Sequence, residues 1–250
     1  MSSLKGFGRR TLATLVERFG YELKVKAAPL RGYTTFLEQC KKRGLAISTV
    51  LDAGVGMGTP WLYECFPSSK IVLFEPQRQF LSVMEALRQR YDVEYHVTAL
   101  GARQGEAEIN IPREFVTAAS LKTHSKNLLL AIRREGLRRT YETEKVPIST
   151  LDTLNTYAPA YLLKIDVEGS ELAVLHGAER TLKNTALLIV ETSLVERYED
   201  GCTFIDVANF LDAHGFALYE IVEMGVRTSS APVAFLDAAF VPKKSHLRNL

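Results

Sequence analysis

The chain has 250 residues, 46% of them hydrophobic and 24% charged, with a formal net charge of +2; it can bury one sizeable core, and its charge points to no nucleic-acid partner. It has no run of about 18 uncharged apolar residues, so no transmembrane segment is expected. The opening MSSLKGFGRRTLATL lacks the apolar core and cleavage site of a secretory signal, and the expected compartment is the cytoplasm.

In chain order, Leu4, Phe7, Leu12, Leu15, Val16 and Phe19 fall on one face of an amphipathic helix over Leu4 to Phe19. A second helix is expected from Tyr33 to Arg43, ending at Gly44. Residues 1–46 thus read as an N-terminal helical segment packing on the core, and residues 47–250 as the main domain. The apolar stripe would serve equally for a membrane surface or a second copy, so a homodimer stays open.

Short β-branched runs then alternate with helical segments. Strands are expected at Thr49 to Asp52, Ile71 to Glu75, Val93 to Thr98, Tyr161 to Asp166, Leu187 to Glu191, Ala217 to Val222 and Ala234 to Val241. Helices are expected at Gln79 to Arg90, Gly169 to Leu182 and Phe204 to His214. This alternation predicts an α/β, Rossmann-like fold: a seven-stranded, mostly parallel sheet with an antiparallel last strand and helices on both faces. Residues 112–144 fit the alternation poorly and read as a partly helical insertion near the site. Its Arg133, Arg134, Arg138 and Arg139 would suit an acidic acceptor or simply form a solvated basic face. Cys40, Cys65 and Cys202 make no CxxC pair, so neither a disulfide framework nor a zinc site is expected.

The chemistry begins at TVLDAGVGMGTPW, Thr49 to Trp61, where a strand runs into Gly54, Gly56 and Gly58. Glycines suit a strand-to-helix turn whose main chain touches a ligand. About 20 residues on, Glu75 ends the next strand, followed by Pro76, and a carboxylate there can accept from both hydroxyls of a ribose. The spacing GxGxG with Asp52 before it favours S-adenosylmethionine over a dinucleotide. A carboxylate repels a pyrophosphate and attracts the ammonium of a methionine tail. Residues around Ala99, after the third strand, would flank the adenine. At Tyr161 to Leu182, charged residues Lys164, Asp166, Glu168 and Glu171 crowd a strand's C-terminal end, the edge where open α/β sheets bind ligands.

The blocks LDAGVGMG, FEP, LKIDVEGSELAVLHGAERTL, IVET and DAAFVPK together resemble the FkbM-type family of S-adenosylmethionine-dependent methyltransferases, over roughly Val50 to Lys243. The resemblance implies O-methylation of a small-molecule or glycan hydroxyl. Val55 and Gly56 stand where that family often has Ala and Asn. Asp166 is the first candidate for a catalytic base, or it would hold a divalent cation with Glu191; whether a metal takes part stays open. His124 is the alternative base. Two rival readings remain at this stage: a nicotinamide-dependent oxidoreductase, and an inactive methyltransferase-like binding scaffold.

Overall fold

A computed structural model describes residues 30, 32–126, 140–226 and 233–249 of the chain. The expected helix at Leu4 to Phe19 and the arginines of 133–139 lie outside these residues.

The strands are β1 (Thr49–Ala53), β2 (Lys70–Phe74), β3 (Val93–His96), β4 (Ala99–Leu100), β5 (Gly105–Pro112), β6 (Tyr141–Ser149), β7 (Tyr161–Ile165), β8 (Thr185–Ser193), β9 (Phe216–Val226) and β10 (Val233–Pro242). Seven form one sheet in the order β3-β2-β1-β7-β8-β10-β9. The pairs from β3 to β8 are parallel, and β10 runs antiparallel to both β8 and β9. This is the expected α/β arrangement, with its single reversed strand inserted between β8 and β9.

The helices are α1 (Tyr33–Lys42), α2 (Pro60–Cys65), α3 (Leu81–Arg88), α4 (Leu151–Leu154), α5 (Glu171–His176), α6 (Glu179–Leu182) and α7 (Phe204–Ala213). Because side chains alternate along a strand, each face of the sheet gathers its own core. Val50, Ile71, Leu73, Leu162, Leu187 and Ile189 pack with Phe36 and Leu37 of α1, Leu62 and Tyr63 of α2 and Met84 of α3. Leu51, Val72, Leu163, Ile165, Leu188 and Val190 pack with Val174 of α5, Leu182 of α6 and Val207 and Leu211 of α7. Each of these fully buried aliphatic side chains contributes roughly 1.5–3 kcal/mol.

Two expectations change. The single helix over Gly169 to Leu182 is split into α5 and α6 at Gly177, whose missing Cβ would stand 2.1 Å from the Gly101 carbonyl oxygen. The chain there is pressed against another loop, and only glycine fits. The segments flanking the expected insertion also carry a second sheet, in the order β4-β6-β5, with β5 and β6 antiparallel from Gly105↔Ile148 to Pro112↔Tyr141. Ile109, Ile111 and Val146 of these strands bury against Ala99 and Ala119. Among the described residues no helix is long and apolar enough to cross a membrane. The three cysteines are free thiols, Cys40 and Cys65 buried and Cys202 half-buried.

Candidate active site

Strand register builds the site. On the face that carries α1 to α3, the apolar residues Val50, Leu162 and Ile189 are followed in phase by Asp52, Lys164 and Glu191. Asp52 and Lys164 are partners on adjacent parallel strands, and their charged atoms lie 3.5 Å apart in the interior. Two residues on, Asp166 emerges at the tip of β7 with Oδ2 3.2 Å from Lys164 Nζ. Burial alone would pull the Lys164 ammonium down. Asp166 and Asp52 outweigh it and hold this group above the ordinary lysine value.

Above these tips lies a crevice of about 240 Å³. Gly54, Gly56, Gly58, Glu75, Pro76, Ala99 and Asp166, all singled out from sequence, line it together. The glycine turn is set by two contacts. Gly54, at φ +85°, has no room for a Cβ, which would stand 1.7 Å from the Asp166 carbonyl oxygen. Here it is the protein's own chain that excludes a side chain, where a ligand was expected to do so. Glu75, only 3% exposed, accepts from the Gly56 N–H through Oε2 and from the Gln77 N–H through Oε1, both at 2.9 Å. Burial pushes its carboxyl up, and the two N–H donors oppose that rise. A carboxylate offers about four acceptor positions. With the Gly56 and Gln77 N–H groups and the Gln77 side chain beside it, the carboxylate still keeps acceptor capacity for a further donor.

Two expected site residues stand outside the crevice lining. Asp52, expected beside a ligand ammonium, is fully buried behind the turn, where Oδ2 accepts from the Thr59 hydroxyl at 2.6 Å and the Tyr63 hydroxyl at 2.5 Å. It anchors the start of α2. His124 is also buried, with Nδ1 2.8 Å from the Tyr141 hydroxyl and its ring tilted against Tyr198. It belongs to the packing that ties the loop after β5 to the loop after β8: Ser125 donates to the Arg197 carbonyl at 2.9 Å and Glu199 to the Thr123 carbonyl at 2.8 Å.

A row of acids continues along the rim. Glu191, Asp237 and Glu223 are register partners across β8, β10 and β9. Tyr33 of α1 hydrogen-bonds Asp237 and stacks on Trp61 of α2, with ring centroids 4.0 Å apart. Burial, then the neighbouring Asp166 charge, pushes the Asp237 carboxyl up to about 6 against the Tyr33 hydrogen bond and Lys164. Oxygen atoms of Asp166, Glu168 and Glu191 lie within 4.8 Å of one another, close enough to hold a metal ion. Arg197 already spans two of them, at 2.8 Å from Glu168 and 2.7 Å from Glu191. One guanidinium does not neutralise two carboxylates. Burial, then the Asp166 and Glu168 charges, raise Glu191 to about 9 despite Arg197.

The profile of the methyltransferase FkbM domain matches residues 52–218. The chain belongs to the FkbM methyltransferase family. Family membership sets aside the nicotinamide reading. "Methyltransferase 1" of the fungus Beauveria bassiana is 24% identical over 186 residues, covering 68% of this chain and 73% of its own. The crystal structure of an FkbM methyltransferase from Methylobacillus flagellatus superposes on 83% of this chain with a TM-score of 0.50 at 18% identity. This chain spans 48% of that protein's length. A looser likeness, with a TM-score of 0.45 at 11% identity, is to the N-methyltransferase NodS of Bradyrhizobium japonicum in complex with S-adenosyl-L-homocysteine, over 92% of this chain and 97% of NodS.

Within this FkbM chain, Lys164 shows in the sequence only as a rim charge, and Tyr33, Asp237 and Arg197 carry no sign there of a place in the site. For Lys164 a signal existed: Leu162 and Lys164 are in phase on a strand buried on both faces, where an uncompensated lysine would be costly. Asp237 stands at the same level in DAAFVPK. Nothing local announces Arg197, whose partners are 29 and 6 residues away.

Proposed function

We propose that this chain transfers the methyl group of S-adenosylmethionine to a hydroxyl of a small molecule or glycan. One observation carries the reading: a single crevice joins the glycine turn, the buried Glu75 at the tip of β2 and the Lys164–Asp166 pair at the tip of β7. Glu75 fits a ribose diol through its remaining acceptor capacity, and Ala99 with Thr98 and Leu100 offers a wall for the adenine. When bound, the sulfonium supplies an already activated methyl group. The chain's own task is then to align an acceptor in line with it, and positioning of that kind is worth roughly 7–11 kcal/mol.

Asp166 is the proposed base. Its side chain is 32% exposed at the crevice, and Lys164 fixes one oxygen, leaving the other to take the hydroxyl proton. His124, the other candidate, lies away from the crevice lining and is not assigned this part. We assign no metal, because Arg197 occupies the position between Glu168 and Glu191. Residues 47–250 would form the catalytic domain, with Tyr33 of the preceding segment and Trp61 bordering the acceptor. The test is calorimetric titration of S-adenosylmethionine, followed by transfer of its labelled methyl group to a panel of hydroxylated aromatics and sugars. Micromolar binding with label in an ether product supports the proposal; label appearing only on nitrogen or carbon would overturn the hydroxyl assignment.

A further inference from the structure

Among the described residues lining the crevice, Lys164 is the one cation, and its coordination is loose. Its Nζ stands 3.2 Å from Asp166 Oδ2, 3.4 Å from the Gly54 carbonyl and 3.5 Å from Asp52 Oδ1. A well-formed ammonium–carboxylate hydrogen bond is shorter, about 2.7–2.9 Å. Asp52 Oδ1, though fully buried, has no hydrogen-bond partner, so the ammonium does not spend a proton there. The demand of Asp52 is met from behind by Thr59 and Tyr63.

The position is as informative as the coordination. Glu75 binds the turn at Gly56, whereas Lys164 reaches it at Gly54, beside the tip of β7. A ligand whose ribose sits at Glu75 and whose tail runs toward β7 ends at this ammonium. We infer that Lys164 binds the α-carboxylate of the cofactor's amino-acid tail and is the residue that distinguishes S-adenosylmethionine from nucleosides lacking that carboxylate. The inference rests on the reading of the crevice as a cofactor site. It moves the tail contact expected of Asp52 to the lysine paired with it.

The test needs no acceptor. S-Adenosylhomocysteine and its decarboxylated analogue, which keeps the amine, are titrated calorimetrically into the full chain and into Lys164→Met and Lys164→Arg. Decarboxylation makes the ligand a net cation, which the surrounding acids favour, so a preference for the amino acid cannot come from overall charge. The wild type is expected to bind S-adenosylhomocysteine at least about tenfold more tightly, the worth of one charge-assisted hydrogen bond. Lys164→Met brings the two ligands within about twofold by weakening only the amino acid, and Lys164→Arg keeps part of the preference. A wild-type ratio near one overturns the inference even if Lys164→Met fails to fold. Equal weakening of both ligands in a folded Lys164→Met also overturns it, leaving Lys164 as a counter-ion to Asp52. Binding of neither ligand by the wild type overturns the cofactor reading, and the inference with it.

Discussion

Replacing Glu75 by alanine removes the contact on which the cofactor reading most depends. Two hydrogen bonds from a diol to an ionised carboxylate are worth roughly 1.5–3 kcal/mol each, so their loss amounts to about 3–6 kcal/mol. At about 1.4 kcal/mol per tenfold, affinity should fall between roughly a hundredfold and ten-thousandfold. The lower end is expected, because burial raises the Glu75 carboxyl and the Gly56 and Gln77 N–H groups already share its oxygens. The same change strips those two N–H groups of their acceptor, at a cost of about 1–3 kcal/mol each to the fold. Binding and folding must therefore be read separately, by calorimetry with S-adenosylhomocysteine and by urea denaturation. A 2′,3′-dideoxy analogue, weak toward the wild type, should bind Glu75→Ala no worse, because it never engaged the carboxylate. If the folded variant binds S-adenosylhomocysteine within about threefold of the wild type, Glu75 does not hold a ribose.

Asp166→Asn should slow methyl transfer at least about a hundredfold, the usual worth of a positioned base, while cofactor affinity stays within a few-fold; undiminished turnover removes Asp166 from catalysis. Glu191 gives a pH signature. Its folded carboxyl is raised to about 9, so the stability tied to its protonated form is complete below the unfolded value near 4.5 and drains away as pH rises toward 9. Glu191→Gln cannot lose that proton, so its melting temperature minus that of the wild type should grow from pH 5 to pH 9, and a constant difference would refute the assignment. Two glycine substitutions separate conformation from contact. Gly215→Ala, at φ +84° in open space, should cost only the left-handed backbone, about 1–2 kcal/mol. Gly54→Ala, at nearly the same φ, adds the clash with the Asp166 carbonyl and should shift the urea midpoint several times further.

What sequence alone conveyed about this chain follows the range of the interactions involved. The strands β1, β2, β7 and β8 announce themselves as apolar runs because they are buried on both faces, and the turn at Gly54 to Gly58 with Glu75 is readable because strand order brings neighbouring tips together. β5 and β6 were hidden: Glu106 and Glu108 interrupt one, and Pro147 stands inside the other. Pro147, which has no N–H to give, stands opposite Glu106 and just before the first β4–β6 pair at Ile148. The local sequence around His124 carries no mark of burial, yet pairing with Tyr198 buries it. That contact joins segments more than 70 residues apart, and no local pattern encodes it. Asp52 falls on its strand as expected, while the Thr59 and Tyr63 hydroxyls that meet its Oδ2 become visible only in the folded chain.

The charged end of the sheet explains why these residues should act as a set. Side chains two residues apart share a face, so the same alternation that buries Val50, Leu162 and Ile189 delivers Asp52, Lys164, Asp166 and Glu191 to one edge. Each would be costly there alone. Together they offset one another: Lys164 serves Asp52 and Asp166, and Arg197 serves Glu168 and Glu191. The compensation is uneven, because Lys164 holds its partners at 3.2 Å or more while Arg197 holds its own at 2.7 and 2.8 Å. The Arg197 end is closed on itself and braces the loops after β5 and β8. The Lys164 end is the one with coordination to spare, and it is the end that opens into the crevice.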